Sequence, residues 1–254
     1  MARVHNGFPL FLEITQLFAT LAVVVPGLHF AFGAYARHRR PGWSKTVESR
    51  KLAILLMLVC AITAIQIADG VIDGDAHPLD QALLLVIHEH VPDWSIGFFE
   101  IVTLSGSAKF LIPLTILATI ALLVVKKRFE AGLLAVSLVL AELVIYSIKM
   151  AVQRPRPQLW ETGTYWGSSF PSGHTLAVAA TATAAVLCVA RILPAAQTPA
   201  AIAGLLWIAL VGLSRLVLGV HWPTDILVAA CLGAFIPLAI SVVHELRTGS
   251  GTED

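Results

Sequence analysis

Long apolar stretches separated by short polar loops run through most of this chain. A helix needs roughly 20 apolar residues to cross the hydrocarbon core of a bilayer. About seven stretches qualify by this rule, and they cover residues 8–35, 52–71, 110–125, 131–148, 174–193, 200–218 and 225–243. The pattern therefore predicts an all-α fold, a polytopic membrane helix bundle.

Residues 73–109 have a more mixed pattern than the predicted spans. Two apolar pieces, 82–87 and 96–104, alternate with acidic residues and with aromatic side chains that suit a membrane boundary. We predict that this segment forms short helices lying along the membrane interface.

The composition supports a membrane protein and excludes one class of partner. Of the 254 residues, 57% are hydrophobic and only 13% are charged, which is far from the balance of a soluble domain. The net charge of +1 offers no basic face for phosphodiesters, so no nucleic acid partner is expected. The first apolar run is too long for a signal peptide and is followed by basic residues 37–40, so we expect an uncleaved first span.

Lysine and arginine placement predicts the orientation of the spans. If the basic loop 37–51 is cytoplasmic, alternation places Lys126, Arg191 and Arg247 on the same side. The acidic segment 73–100 then lies outside. We therefore expect a multi-pass protein of the cytoplasmic (inner) membrane.

The chain divides into three parts by this reading. Residues 1–50 form a first transmembrane helix and a polar cytoplasmic loop with Pro41-Gly42 as its turn. Residues 51–245 form the main bundle, and residues 246–254 form a cytoplasmic tail. The sequence carries no signal for an oligomeric state.

Two cations mark the end of the fourth predicted span. Lys149 is followed by Arg156, and the flanking prolines Pro155 and Pro157 stop the helix and restrict its backbone. A guanidinium and an ammonium group together can bind the oxygens of a phosphate. The alternative is that both cations only anchor a helix end at the lipid headgroups.

The fifth predicted span begins with Pro171-Ser172-Gly173-His174. We expect Ser172 to be the N-cap, Gly173 to allow close backbone approach, and the first-turn N–H groups to favour an anion. His174 could then donate a proton to a departing oxygen. The alternative is an ordinary capped helix with an interfacial histidine.

The last two predicted spans supply Arg215, His221 and Asp225. Pro223 suits a first helical turn, and the spacing of four places His221 and Asp225 on one face. A carboxylate there can hold one imidazole nitrogen and leave the other to attack. The alternative is an aspartate that only favours the helix dipole. All these motif residues emerge on one side of the predicted bundle, where we expect them to converge on one anion.

These residues resemble the type-2 phosphatidic acid phosphatase family, or lipid phosphate phosphatases, whose motifs read KxxxxxxRP, PSGH and SRxxxxxHxxxD. Here they stand as KMAVQRPRP, PSGH and SRLVLGVHWPTD. The resemblance covers residues 52 to about 245. It implies a six-helix phosphatase core with one extra N-terminal transmembrane helix.

The resemblance also implies roles for the motif residues. His221 would attack phosphorus and form a phosphohistidine, Asp225 would orient it, and His174 would protonate the leaving group and then activate water. The phosphate oxygens would be bound by the remaining site residues, Lys149, Arg156, Ser172, Gly173 and Arg215. No metal and no other cofactor is implied, and the expected partners are a lipid phosphate substrate and the bilayer.

We therefore expect a metal-independent lipid phosphate or diphosphate phosphatase acting on the extracytoplasmic face. A lipid phosphotransferase with the same cradle, or an anionic-lipid transporter, is the alternative. Trp160, Tyr165 and Trp166 are interpreted as aromatics of the membrane boundary or of the substrate entrance. His88 is interpreted as a solvated interfacial side chain, because His88-Glu89-His90 lacks a metal-site spacing.

Overall fold

The computed structural model describes residues 8–74, 76–160 and 167–249, and every regular element within these ranges is helical. Two single turns of 3₁₀-helix precede α5 and α9. The α-helices are α1 Phe8–Arg39, α2 Pro41–Ser49, α3 Lys51–Asp73, α4 His77–His90, α5 Ile96–Leu104, α6 Ala108–Val124, α7 Arg128–Val152, α8 Gly173–Ile192, α9 Gln197–Val217 and α10 Pro223–Gly249.

The predicted all-α membrane bundle is confirmed. Six helices in the described ranges, α1, α3, α7, α8, α9 and α10, are long and apolar enough to cross a bilayer. The remaining predicted span, 110–125, coincides with α6, which has 17 residues. Helices α5 and α6 meet at an angle of 43° and together form either a broken span or a re-entrant pair.

The interfacial segment does form the short helices that its mixed pattern predicts, but one of them is partly buried. Helix α4 contacts α9 and α10, and the carboxylate of Asp80 in its first turn is fully buried. Asp80 therefore points into the bundle, although the sequence predicted only short helices lying along the membrane interface. Asp75, in the same acidic segment, lies outside the described residues.

The basic loop contains a helix where the sequence predicted a turn. Helix α2 begins at Pro41, which occupies the first helical turn, a position that needs no backbone N–H donor. Val47 of α2 packs with Ala36 of α1, Ile54 of α3 and Val242 of α10, so the N-terminal helices join the bundle through an apolar cluster. Their separation as a domain of residues 1–50 stays a prediction.

The C-terminal boundary also differs from the sequence-based division. Helix α10 continues to Gly249, so residues 246–249 extend the last helix. Residues 250–254 of the predicted tail lie outside the described residues.

Helix α8 lies at the centre of the bundle, where it packs against α7, α9 and α10. All residues of α8 from 175 to 182 are buried. Gly233 of α10 permits this close packing, because a Cβ atom there would lie 2.4 Å from the carbonyl oxygen of Leu176. The contact fixes the N-terminal ends of α8 and α10 side by side, where Ser172 and Asp225 lie.

Candidate active site

The segment after α7 turns sharply and brings two arginines into the bundle. Gln153 adopts a left-handed conformation with φ of 47°, and Pro155 disfavours a helical conformation for Arg154. Helix α7 therefore ends at Val152, and the chain continues without regular structure through Arg156.

Lys149 and Arg156 meet at the same backbone carbonyl. The Lys149 Nζ donates to the carbonyl oxygen of Ser168 at 2.6 Å, and the Arg156 Nη2 donates to the same oxygen at 3.4 Å. The Arg156 Nε donates to Gly167 O at 3.2 Å, and its Nη1 donates to Val220 O at 2.8 Å. The two cations of the first motif therefore lie in one pocket.

Ser172 is the N-cap residue of α8, as the sequence predicted, but its hydroxyl does not cap the helix. The hydroxyl instead accepts a hydrogen bond from Thr175 Oγ1 at 3.1 Å, and the Ser172 N–H donates to the carbonyl of Asp225 at 3.3 Å. The first-turn N–H groups that follow, including that of Gly173, have no acceptor within their own helix. The serine thus ties the starts of α8 and α10 together.

His174 occupies the first turn of α8 and is half-buried. Its ring lies within electrostatic range of four other predicted site residues, Arg215, His221, Lys149 and Arg156. A single small volume therefore contains both histidines and the three predicted cations.

Arg215 is in the last turn of α9, and its side chain is almost fully buried. Its Nη1 donates to the hydroxyl of Thr103 on α5 at 2.7 Å. Sequence reasoning missed Thr103, because nothing in the apolar run 96–104 indicates which residue faces an arginine far along the chain.

His221 and Asp225 are hydrogen-bonded across the start of α10. The His221 Nδ1 lies 3.3 Å from Asp225 Oδ2, and the same oxygen accepts the Trp222 N–H at 2.9 Å. The Arg156 Nη1 lies 3.3 Å from the other ring nitrogen, Nε2. A guanidinium can only donate, so Nε2 must be the acceptor, and the ring proton belongs to Nδ1, which donates to Asp225.

Burial lowers the pKa of His221 to about 4, although the hydrogen bond with Asp225 acts in the opposite direction. The imidazole is therefore neutral near pH 7. A neutral ring with its proton on Nδ1 presents the lone pair of Nε2, which is the state that a nucleophile requires.

A second arginine of the first motif segment, Arg154, was not predicted as a site residue. Its Nη1 donates to Asp225 Oδ1 at 2.6 Å, and its Nη2 donates to Asp80 Oδ2 at 2.6 Å. The pairing could not be read from the sequence, because 74 residues separate Asp80 from Arg154. The sequence offered only an acidic residue just before the apolar piece 82–87, which does not identify a partner.

Trp160 lies beside the site and contacts two other elements. Its ring stacks on His88 of α4 with centroids 4.0 Å apart, and its edge lies against Gly219. Gly219 has φ of 65°, and a Cβ atom there would lie 2.7 Å from the tryptophan ring. His88 is thus stacked on an aromatic ring in addition to being near solvent, and Tyr165 and Trp166 lie outside the described residues.

Comparisons with known proteins agree with the sequence resemblance. Residues 130–248 match the PAP2 superfamily, and this range contains all three motifs. The fold is similar to a transmembrane PAP2-type phosphatidylglycerolphosphate phosphatase from Bacillus subtilis, with a TM-score of 0.66 and 23% identity over 76% of this chain and 96% of that one. Among curated proteins, no match was found.

A second solved structure, LpxE from Aquifex aeolicus, is similar with a TM-score of 0.53. It is 26% identical over 64% of this chain and 94% of that one. The chain is therefore a multi-pass membrane protein with the fold of membrane PAP2 phosphatases, and the predicted family resemblance is confirmed.

Proposed function

We propose that this chain, whose residues 130–248 match the PAP2 superfamily, is a membrane phosphatase that removes the terminal phosphate of a lipid phosphate or diphosphate. The observation that carries the proposal is the state of His221. Its neutral ring is oriented by Asp225, and its Nε2 lies 3.3 Å from a guanidinium that can bind phosphate oxygens.

In the first step, His221 Nε2 attacks phosphorus and the bond from phosphorus to the leaving oxygen breaks. The leaving oxygen takes a proton from His174, whose charged form is favoured by the bound phosphate dianion. The Arg156 Nη1 exchanges its contact with Nε2 for a phosphate oxygen. The phosphohistidine that forms carries a positive charge, and its Nδ1–H donates a hydrogen bond to Asp225.

In the second step, water attacks phosphorus while His174 removes its proton, and the bond from phosphorus to His221 Nε2 breaks. Inorganic phosphate is released, and the His221 ring becomes neutral again. Lys149, Arg156 and Arg215 bind the non-bridging oxygens in both steps, together with the backbone N–H groups after Ser172. Donors placed where charge develops are the main source of rate acceleration in phosphoryl transfer. The mechanism uses no metal ion.

The position of the site within the bundle supports a lipid substrate and an external active site. The site lies where α7 and α9 end and where α8 and α10 begin. The opposite end carries Arg128 and Arg191, and the excess of basic residues in short loops favours the cytoplasm. In intact cells, a membrane-impermeant thiol reagent should label Lys127→Cys only after permeabilisation.

Phosphate release by the purified protein in detergent tests the proposed function. The substrates are phosphatidate, phosphatidylglycerophosphate, diacylglycerol pyrophosphate, undecaprenyl diphosphate and lipid A phosphates, each assayed with and without a chelator. We expect turnover of at least one substrate and no effect of the chelator. Loss of all turnover on chelation would contradict the metal-independent mechanism.

Replacement of His221 by alanine should abolish turnover and the base-stable phosphoprotein intermediate. His90→Ala is the matched control, because His90 is exposed and its Nδ1 lies 2.9 Å from Val86 O of its own helix. Unchanged turnover in His221→Ala would refute its role as nucleophile.

Mass spectrometry of the products separates hydrolysis from transfer to a second lipid, and lipid movement without phosphate release would indicate a transporter.

A further inference from the structure

Asp225 is held on both of its oxygens, by different groups. Oδ2 accepts the Trp222 N–H and the His221 Nδ1–H, whereas Oδ1 accepts the Arg154 Nη1–H at 2.6 Å. The carboxylate is fully buried, and only 9% of the Arg154 side chain is exposed. Arg154 therefore holds the oxygen of Asp225 that does not contact His221. By fixing the plane of the carboxylate, it also fixes the orientation of the His221 ring.

Arg154 is itself held by a second buried carboxylate. Its Nη2 donates to Asp80 Oδ2 at 2.6 Å, and Thr224 donates to both Asp80 oxygens, through its N–H at 2.9 Å and its hydroxyl at 2.6 Å. Arg154 Nη1 also lies 2.9 Å from the Thr224 hydroxyl. Asp80, Arg154, Thr224 and Asp225 form one closed network, which we call the Asp80 network.

The charges of the Asp80 network leave one net negative charge beside His221. A buried guanidinium paired with Asp225 alone would cancel the charge that stabilises the phosphohistidine, whereas a second carboxylate restores it. A buried pair that loses one partner is strongly destabilised, so all three charges depend on one another. Asp80 thus offsets Arg154 and leaves Asp225 effectively anionic.

We propose that Arg154 and Asp80 are positioning residues that fix the orientation of Asp225 and set the charge felt by His221. The inference rests on the proposed function of His221 as nucleophile. It separates the two arginines of the RPRP segment by role: Arg156 faces His221 Nε2 and the phosphate, whereas Arg154 directs two N–H groups at carboxylates on the far side of Asp225.

The proposal is tested with Arg154→Met, Arg154→Lys and Asp80→Asn. Arg154→Met should lower kcat at least about 100-fold while KM changes less than about threefold, because the phosphate ligands are retained. Arg154→Lys should recover part of kcat, since an ammonium group can hold Asp225 but cannot span both carboxylates. Equal losses in the methionine and lysine variants, or a loss confined to KM, would overturn the proposal.

A second readout does not depend on turnover. The protonation midpoint of His221 is followed by NMR of ¹⁵N-histidine-labelled protein in detergent, with the His221→Ala spectrum identifying the signal. Other charged or titratable groups facing His221 are common to all variants, namely Asp225, Arg215, Arg156, His174 and Lys149.

Removal of the Arg154 charge leaves excess negative charge near the imidazole and should raise the midpoint by about one pH unit. Asp80→Asn removes a negative charge and should lower the midpoint below that of the wild type. A midpoint that is the same in Arg154→Met and wild type would overturn the inference even if turnover fell.

The two proposals fail in distinguishable ways. If the wild type released no phosphate from any lipid, the proposed function would fail, while the His221 midpoints would still report whether the Asp80 network acts on this ring. If Arg154→Met did not fold, judged by size-exclusion elution in detergent, Asp80→Asn would decide. A His221 midpoint in Asp80→Asn that is unchanged or raised would contradict the charge argument.

Discussion

The two ends of the helix bundle both contain charged side chains, but they hold those charges differently. At the end opposite the site, Arg191 donates to Glu130 at 3.1 Å and to Glu245 at 2.8 Å, and Arg50 also pairs with Glu245. Guanidinium and carboxylate groups meet directly there. We call these four residues the opposite-end network, and its charges cancel within it.

At the site end, guanidinium and carboxylate groups also meet directly in the Asp80 network. Three further cations at this end donate to neutral oxygen atoms. Lys149 donates to Ser168 O, Arg156 donates to Val220 O, and Arg215 donates to the Thr103 hydroxyl. In these three contacts a carbonyl or hydroxyl oxygen orients the cation. We expect the opposite-end network to stabilise the fold, and the three cations at the site end to bind a phosphate dianion.

Replacement of Arg156 gives the largest effect expected from this comparison. Arg156→Met removes a guanidinium that faces the reacting nitrogen, and kcat/KM should fall by about 100- to 1,000-fold, the typical loss for one transition-state donor. Steady-state phosphate release measures it. Arg191→Met is the matched control and should keep kcat/KM within about threefold of wild type. Comparable losses in both variants would erase the functional difference between the two ends.

Much of the fold was predictable because bilayer spans are a property of composition alone. The apolar runs located all six long helices, and proline and serine located the turns at Arg154–Pro157 and Ser172. The sequence could not predict helix α2, because a nine-residue polar segment carries no span signal. Helix α2 packs mainly against α1 and α10, and contacts of this kind cannot be read from a local pattern.

The site was predictable only where its residues are near one another in the chain. His221 and Asp225 are only four residues apart, so the short connection keeps them together although His221 precedes the first residue of α10 and does not share a helical turn with Asp225. Asp80 and Thr103 reach the site through tertiary packing, and no local pattern encodes those contacts. The bond of the Ser172 hydroxyl is local, because its partner Thr175 is only three residues away, but the sequence pattern did not distinguish it from a capping bond to the backbone.

Disruption of the contact between α8 and α10 should have a smaller effect on turnover. This contact positions the starts of the two helices at the site but involves no charged group. Gly233→Ala would place a Cβ atom 2.4 Å from Leu176 O and 2.6 Å from the Ala179 Cβ. The Cβ atom could be accommodated only by a shift of the α8 backbone. We therefore expect about 1–3 kcal/mol of destabilisation, measured by unfolding in detergent, together with reduced turnover. Gly70→Ala on α3 is the control, because nothing lies within 4 Å of a Cβ atom there. Equal stability of the two alanine variants would contradict the close-packing argument.

The opposite-end network should contribute the smallest effect, because its charges are partly solvated. The Arg191 side chain is 28% exposed, and exposed ion pairs contribute little after screening by solvent and salt. Its guanidinium also lies 4.6 Å from the centre of the Phe129 ring, which adds a modest cation–π contact.

Arg191→Met should therefore lower the free energy of unfolding by about 1 kcal/mol, and 1 M salt should reduce the difference. Arg191→Lys should recover only part of it, because an ammonium group cannot bridge Glu130 and Glu245 as a guanidinium does. A loss of turnover in Arg191→Met without any loss of stability would show that this end also serves catalysis.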